Sequence, residues 1–491
     1  MAMRAEDTID LRTWAHRAAD WTADYRDGLD ALPVRPRVVP GSIAAEIAAA
    51  PPEAAEPMEA IFADFDRVIA PGMTHWQHPR FFAYFPGNAA PAAVVAEMLV
   101  AGMSAQCMLW QTSPAATELE TRVLDWLRQA LDLPATFQGV IHDTASSATL
   151  AAVLTMRERA LGFTGNATGL AGGPRLRIYA SGEVHSSIDK AVRIAGIGED
   201  NLVRVPTAGP TRGMDPTGLE AAIAADRAAG HKPAGIIACV GGTSVGALDD
   251  VTAIAAIANR EGLHLHVDAA WAGAAMICPE FRPLWEGVAA ADSVVMNPHK
   301  WLGAPFDCST YFVRAPGDLV RTLAIHPEYL KTYGRDGMVN YSEWSIQLGR
   351  RFRALKLWFL IRAHGLEGLR AMIRDHVAWS RDLAARLGAE PDFEIVTEPM
   401  LSLFTFRHLS AADGAADAHN LALVEAINDD GRTYLTQTRV DGRIAIRLQV
   451  GSFQTTAADL DIAFEAITEI ARRLDSATTV TEPLSRARTA G

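Results

Sequence analysis

The sequence predicts an α/β protein centred on a mostly parallel sheet with helices on both faces, followed by a smaller α+β domain. Three observations carry this expectation. From about Phe81 onward, short β-branched apolar runs alternate with longer segments at helical spacing. After about His364 the alternation gives way to longer helices and then to two further strand-like runs. The 491 residues, 49% of them hydrophobic, suffice for a large core divided among two or three domains.

Residues 11–29 place Leu11, Trp14, Ala18 and Trp21 at the spacing of one amphipathic helix. The prolines at 33, 36 and 40 each restrict themselves and the residue before, so an extended connector follows. Residues 56–69 read as a second helix that stops before Pro71-Gly72. This N-terminal segment, residues 1–80, is too small and too broken to fold alone, and it is expected to pack on a partner subunit. The large domain, 81–365, has strand-like runs at 177–180, 236–240, 263–267 and 293–296, with helices at 216–229 and 251–260 between them. The small domain, 366–491, has expected strands at 394–406 and 443–450, and its polar tail from 482 is expected to fray.

The net charge of −13 argues against nucleic-acid wrapping, which needs a basic face to neutralise phosphates. Cys107, Cys239, Cys278 and Cys308 are scattered without CxxC spacing, which fits a reduced compartment and no disulfide framework. The first twelve residues are charged and lack the apolar core of a signal peptide. No apolar stretch reaches the roughly 20 residues that span a bilayer. The resulting expectation is a soluble cytoplasmic protein with no nucleic-acid or membrane partner.

A carboxylate, Asp268, ends one apolar run, and a lysine, Lys300, follows the next. Both sit where parallel strands should end, which is where open α/β sheets collect ligands. Pyridoxal 5'-phosphate (PLP) needs such a pair: an acid to keep its pyridine nitrogen protonated and a lysine to bond its aldehyde. The same residues admit blander readings, since Lys300 could be an ordinary solvated lysine and Asp268 a helix cap. A different chemistry is also written there. His264, His266 and Asp268 alternate, so on a strand they share one face, as the ligands of a metal-dependent hydrolase could. That reading leaves Asn297-Pro298-His299-Lys300-Trp301 unexplained and finds no second histidine cluster.

The segments His266-Val267-Asp268-Ala269-Ala270-Trp271-Ala272-Gly273 and Asn297-Pro298-His299-Lys300-Trp301 resemble the cofactor segments of group II PLP-dependent amino-acid decarboxylases, the aromatic-L-amino-acid type above all. Blocks of the same resemblance run in order from Thr74 to Trp358. The resemblance implies fold type I with a seven-stranded sheet, PLP as cofactor, no metal, and a homodimer whose active sites draw on both subunits. It implies that Lys300 bonds the cofactor, Asp268 holds the pyridine nitrogen, and His185, in Glu183-Val184-His185-Ser186-Ser187, stacks on the ring. Thr144, Ala145 and Ser146 correspond to the phosphate cup, with Asp143 where the family has glycine. Asn297 and His299 complete the phosphate contacts, Thr243 supports the aspartate, and Ala270 lies against the cofactor.

On the substrate side, Trp76 and the segment Phe81 to Pro86, with Tyr84, Phe85 and Pro86, correspond to pocket-lining residues, as do Gln106, Met108 and Gly349. Tyr329 stands where tyrosine directs simple decarboxylation to the amine, whereas phenylalanine directs oxidative deamination to an aldehyde. A phenol can donate a proton and a phenyl ring cannot. The activity implied is decarboxylation of an aromatic L-amino acid. Aldehyde formation and a non-aromatic amino acid are the alternatives. A glutamate decarboxylase would need a cation for the distal carboxylate, and none stands out.

Overall fold

The computed structural model describes residues 9–325, 338–409 and 416–486. Two compact units emerge. One comprises Met1–Pro86, Asp382–Val396 and Thr405–Gly491, and the other Gly87–Arg381 and Thr397–Phe404.

The larger unit holds a seven-stranded sheet. Its strands are β1 (Gln138–His142), β2 (Leu176–Ser181), β3 (Leu202–Val205), β6 (Lys232–Cys239), β7 (His264–Asp268), β8 (Ser293–Met296) and β9 (Ser309–Val313), in the order β1-β9-β8-β7-β6-β2-β3. β4 (Thr207–Ala208) and β5 (Gly213–Met214) form a separate two-strand antiparallel ribbon. β3, β2, β6, β7 and β8 are parallel, and β9 runs antiparallel to both β8 and β1. The mostly parallel sheet expected from strand–helix alternation is thus present, with one reversed strand. β6 is buried at six consecutive positions, Ala234 to Cys239, so both faces are covered. On one face, Ile237 and Cys239 pack with Val153 and Met156 of the helix Ala145–Ala160.

The expected strand at 394–406 is two strands. β10 (Phe393–Met400) and β11 (Leu403–His408) are separated by a turn in which Leu401 takes φ 53°. A continuous apolar run cannot reveal such a reversal, because a left-handed leucine carries no residue signature. With β12 (Thr436–Val440) and β13 (Arg443–Gln449) they form a second sheet, ordered β10-β11-β13-β12.

The N-terminal helix Leu11–Asp27 is capped by Asp10, whose side chain accepts from the amides of Arg12 and Thr13. Residues 56–69 form a shorter helix, Met58–Asp64, followed by a wide π turn, Phe65–Ile69. The smaller unit joins this segment to the C-terminal sheet region: the Val34 amide donates to Gly431 O at 3.0 Å, and Phe81 bridges to Tyr434. The last helix, Ala457–Arg486, extends into the tail expected to fray. The stretch Ala354–Ala389 is two helices joined across Gly365, whose φ 63° and ψ 169° are not helical, and the second of them is the first of the long helices expected after His364.

Candidate active site

Asp268 is the last residue of β7, paired with Cys239 on β6 and Val295 on β8. Lys300 lies just beyond β8, in the five-residue π turn Pro298–Leu302. Adjacent parallel strands deliver their carboxyl ends side by side, so register alone brings acid and lysine to one edge. Backbone hydrogen bonds tie the two ends together. Asp268, only 8% exposed, accepts from the Ala270 amide at 3.0 Å, and Ala270 O accepts from the Asn297 amide at 2.8 Å. Asn297 Oδ1 accepts from Ser309 Oγ at 2.6 Å, and Asn88 Nδ2 donates to Lys300 O at 2.8 Å.

His299 Nδ1 accepts from the Cys308 amide at 2.9 Å. Burial, reinforced by the positive charge of Lys300, pushes this imidazole down to about 3. His299 is therefore neutral at working pH, and with Nδ1 accepting, the proton sits on Nε2 as a hydrogen-bond donor. Gly303 closes the turn with φ 109°, a conformation that suits glycine.

His185 follows β2 and accepts at Nδ1 from the Ser187 amide at 3.1 Å. Burial lowers its pKa, Asp268 pulls it up and Lys300 pushes it down. The His185 ring thus feels the charges of two residues far from it in the sequence.

Thr144 is the cap residue of the helix Ala145–Ala160, with extended backbone and no side-chain capping bond. The amides of the first turn, with Ala145 and Ser146 leading it, form the kind of positive end that receives phosphate. Asp143, the acid in place of glycine, is engaged by nitrogen donors: the Thr144 amide donates to Oδ1 at 2.6 Å and Gln347 Nε2 to Oδ2 at 3.3 Å. Thr243 sits half-buried in the loop after β6, behind Gly241, whose φ is 83° and where a Cβ would lie 2.6 Å from Ala272 Cβ.

Of the pocket-lining candidates, Gln106, Met108 and Gly349 are drawn together in the larger unit. Gln106 Oε1 accepts from the Arg350 amide at 2.6 Å, a Cβ on Gly349 would stand 3.1 Å from Gln106 Nε2, and Met108 O accepts from Ser342 at 3.1 Å. Trp76, Tyr84, Phe85 and Pro86 belong to the smaller unit. There the Trp76 and Tyr84 rings stack at 5.9 Å, Tyr84 takes φ 49°, and the buried Arg447 guanidinium lies 4.5 Å over the Phe85 ring and donates to Tyr84 O. Tyr329 falls outside the described residues.

His264, His266 and Asp268 do share one strand face, but they do not converge. His266 Nδ1 lies 2.9 Å from Ser293 Oγ, His264 Nε2 lies 3.3 Å from the same oxygen, and Arg159 donates to His264 Nδ1 at 3.1 Å. Among the described residues no group of three His, Cys, Asp or Glu side chains could hold a metal ion. The hydrolase alternative has no site. Sequence reasoning missed Asn88, which pins Lys300, because an asparagine in a loop carries no signal of its partner 212 positions away.

An acid and a lysine at neighbouring strand ends, a helix N-terminus and a neutral histidine donor make a donor set suited to PLP, and the mostly parallel sheet that presents them is that of a fold-type I PLP enzyme. Residues 40–409 match the pyridoxal-dependent decarboxylase conserved domain, and the chain belongs to that family. It is 38% identical to tryptophan decarboxylase 1 of Oryza sativa subsp. japonica, over 90% of either chain. It is 37% identical to phenylacetaldehyde synthase of Arabidopsis thaliana, over 96% of this chain and 98% of that one. The crystal structure of Oryza sativa TDC with PLP and tryptamine superposes with a TM-score of 0.92 at 36% identity, covering 96% of this chain and 99% of that one.

Proposed function

We propose that this PLP-dependent carboxy-lyase decarboxylates an aromatic L-amino acid to its arylalkylamine, with Lys300, Asp268, His185 and Tyr329 as the reacting set. The observation that carries the assignment is Asp268 at the end of β7 and Lys300 just beyond β8, their segments tied through the Ala270 and Asn297 backbones at the carboxyl edge of the sheet. PLP, when bound, supplies a sink for the electron pair left as CO2 departs. Lys300 is the amine that would hold the cofactor's aldehyde. Asp268 keeps a proton on the pyridine nitrogen, and His185 offers its ring face to the cofactor. Thr144 and the amides of Ala145 and Ser146, with Asn297 and His299, would take the phosphate, while Thr243 and Ala270 support the acid. Tyr329 is assigned the proton return to carbon on the family resemblance and the chemistry of a phenol.

The aromatic substrate is supported by the tryptophan decarboxylase relative and by the family resemblance at Trp76, Tyr84, Phe85, Gln106, Met108 and Gly349. The relative named phenylacetaldehyde synthase favours a second reading, aldehyde formation, against which Tyr329 argues. We further infer a homodimer in which residues 1–80 pack on the partner, 81–365 carry the cofactor and 366–491 complete each subunit. The helix Pro91–Met103 exposes Val95 (50%), Met98 (43%), Leu99 (49%) and Met103 (53%) along one stripe, an apolar face that a second copy would cover. Among the described residues no helix is long and apolar enough to cross a membrane, and four free buried thiols support a cytoplasmic location.

The decisive experiment incubates the PLP-loaded protein with each aromatic L-amino acid and measures CO2, amine, aldehyde and peroxide. Equal CO2 and amine support the reading and name the substrate. Aldehyde with peroxide establishes the second reading, and no CO2 from any aromatic substrate rejects both.

A further inference from the structure

Lys300 sits in a single π turn, and such a turn has little stability of its own. Backbone bonds close it, among them the Lys300 amide to Asn297 O at 3.0 Å and the Gly303 and Ala304 amides to Pro298 O at 3.1 Å. Beside Asn88 on the Lys300 carbonyl, the two residues flanking the lysine also hold it. On one side His299 is held to the start of β9 through Cys308. On the other, Trp301 Nε1 donates to His376 Nδ1 at 2.9 Å, and His376 belongs to the second helix of the stretch Ala354–Ala389.

The Trp301 ring is held on a face and on an edge. One face stacks on Trp271 at 5.3 Å with planes 18° apart, while its N–H edge meets the His376 imidazole nearly coplanar, centroids 6.4 Å apart and planes 9° apart. Trp271 lies three residues past Asp268, so the stack couples the acid-bearing and lysine-bearing segments behind the site. All three rings are buried. Burial also pushes His376 down to about 3, so the imidazole stays neutral and Nδ1 remains an acceptor throughout the working pH range.

We propose that His376 is a positioning residue for the cofactor lysine: by accepting the Trp301 indole N–H it locks the π turn and sets where the Lys300 amine meets the cofactor. The inference rests on the decarboxylase reading above. It assigns a role in site geometry to a helix that touches neither cofactor nor substrate by that reading.

The test compares His376→Leu, which fills space without an acceptor, with His376→Asn, whose Oδ1 can stand in for Nδ1. Apoprotein is mixed with PLP, the growth of the visible band is timed, and the lysine bond is trapped by borohydride and located by mass. His376→Leu is expected to slow covalent capture by about tenfold or more, as small misplacements of a reacting group do, with His376→Asn restoring most of the rate. Trp301→Phe removes the donor and should slow capture as His376→Leu does, with the double variant no slower than either single one. Capture at the wild-type rate by Trp301→Phe, or equal slowing by the Leu and Asn variants, overturns the inference, even where His376→Leu fails to fold. A wild-type protein that never bonds PLP through Lys300 would instead reject the decarboxylase reading, and this inference with it.

Discussion

Asp268 Oδ1 accepts from the Ala270 amide. In the proposed reaction its charge is held for the pyridine nitrogen. Asp268→Asn keeps the shape and removes the charge, so the cofactor should still bond Lys300 while turnover falls by about 10²–10⁴, the range over which proton control acts. Amine release and the borohydride adduct, measured on one preparation, separate the two effects. Asp268 and Lys300 stood out in the sequence because one ends a strand-like run, the other follows the next, and both lie in segments that resemble a known family's. Asn88 and His376 were not, since their value lies in single contacts, Asn88 with Lys300 and His376 with Trp301, across 212 and 75 positions. Asp143 looked hostile to phosphate by residue type alone; its carboxylate accepts from Thr144 and Gln347 instead.

At the level of elements, the start of the helix Ala145–Ala160 offers a test with opposite signs. An acid in the first turn stabilises a helix by about 0.3–1 kcal/mol, yet it would repel a bound phosphate. Ser146→Asp should therefore leave the apoprotein as stable or slightly more so, by thermal melting, while PLP affinity drops by about tenfold or more by equilibrium titration. The apolar stripe of Pro91–Met103 makes its own prediction: Met98→Lys should shift the protein from dimer to monomer in sedimentation velocity, and an unchanged dimer would place the interface elsewhere. Elements with one strong period were the readable ones. β8 coincides with the expected 293–296, and the helix Val251–Glu261 departs by one residue. The π turns at 65–69 and 298–302 and the β10–β11 reversal were invisible, because they depend on backbone states that the side chains there do not dictate.

Across the whole molecule, neutral buried histidines dominate the acid response. Burial holds His142, His264 and His266 near 4, and His299 and His376 near 3, against an ordinary value of 6.5. The unfolded chain therefore binds more protons than the folded one below about 6.5. The stability these groups contribute is complete above that pH and drains away as pH falls toward 4. Each can contribute up to about 1.4 kcal/mol per pH unit in that window. The melting temperature should be flat from pH 8 to 7 and fall steeply between about 6.5 and 4.5, before most surface carboxylates protonate. A melting curve unchanged down to pH 5 would show that these imidazoles are charged in the fold. The mostly parallel sheet was readable at this scale from alternation alone. The division of the chain into two interleaved units was not, since the smaller unit is assembled from both ends of the sequence.

Every cysteine in the chain is a buried free thiol. Burial raises Cys278 to about 11 and Cys308 to about 12, so in the folded protein neither ionises to the reactive thiolate near neutral pH. The molecule thereby carries its own chemical clock. A thiol-modifying dye should stay colourless against native enzyme and develop with the kinetics of global opening, reporting unfolding without any introduced label.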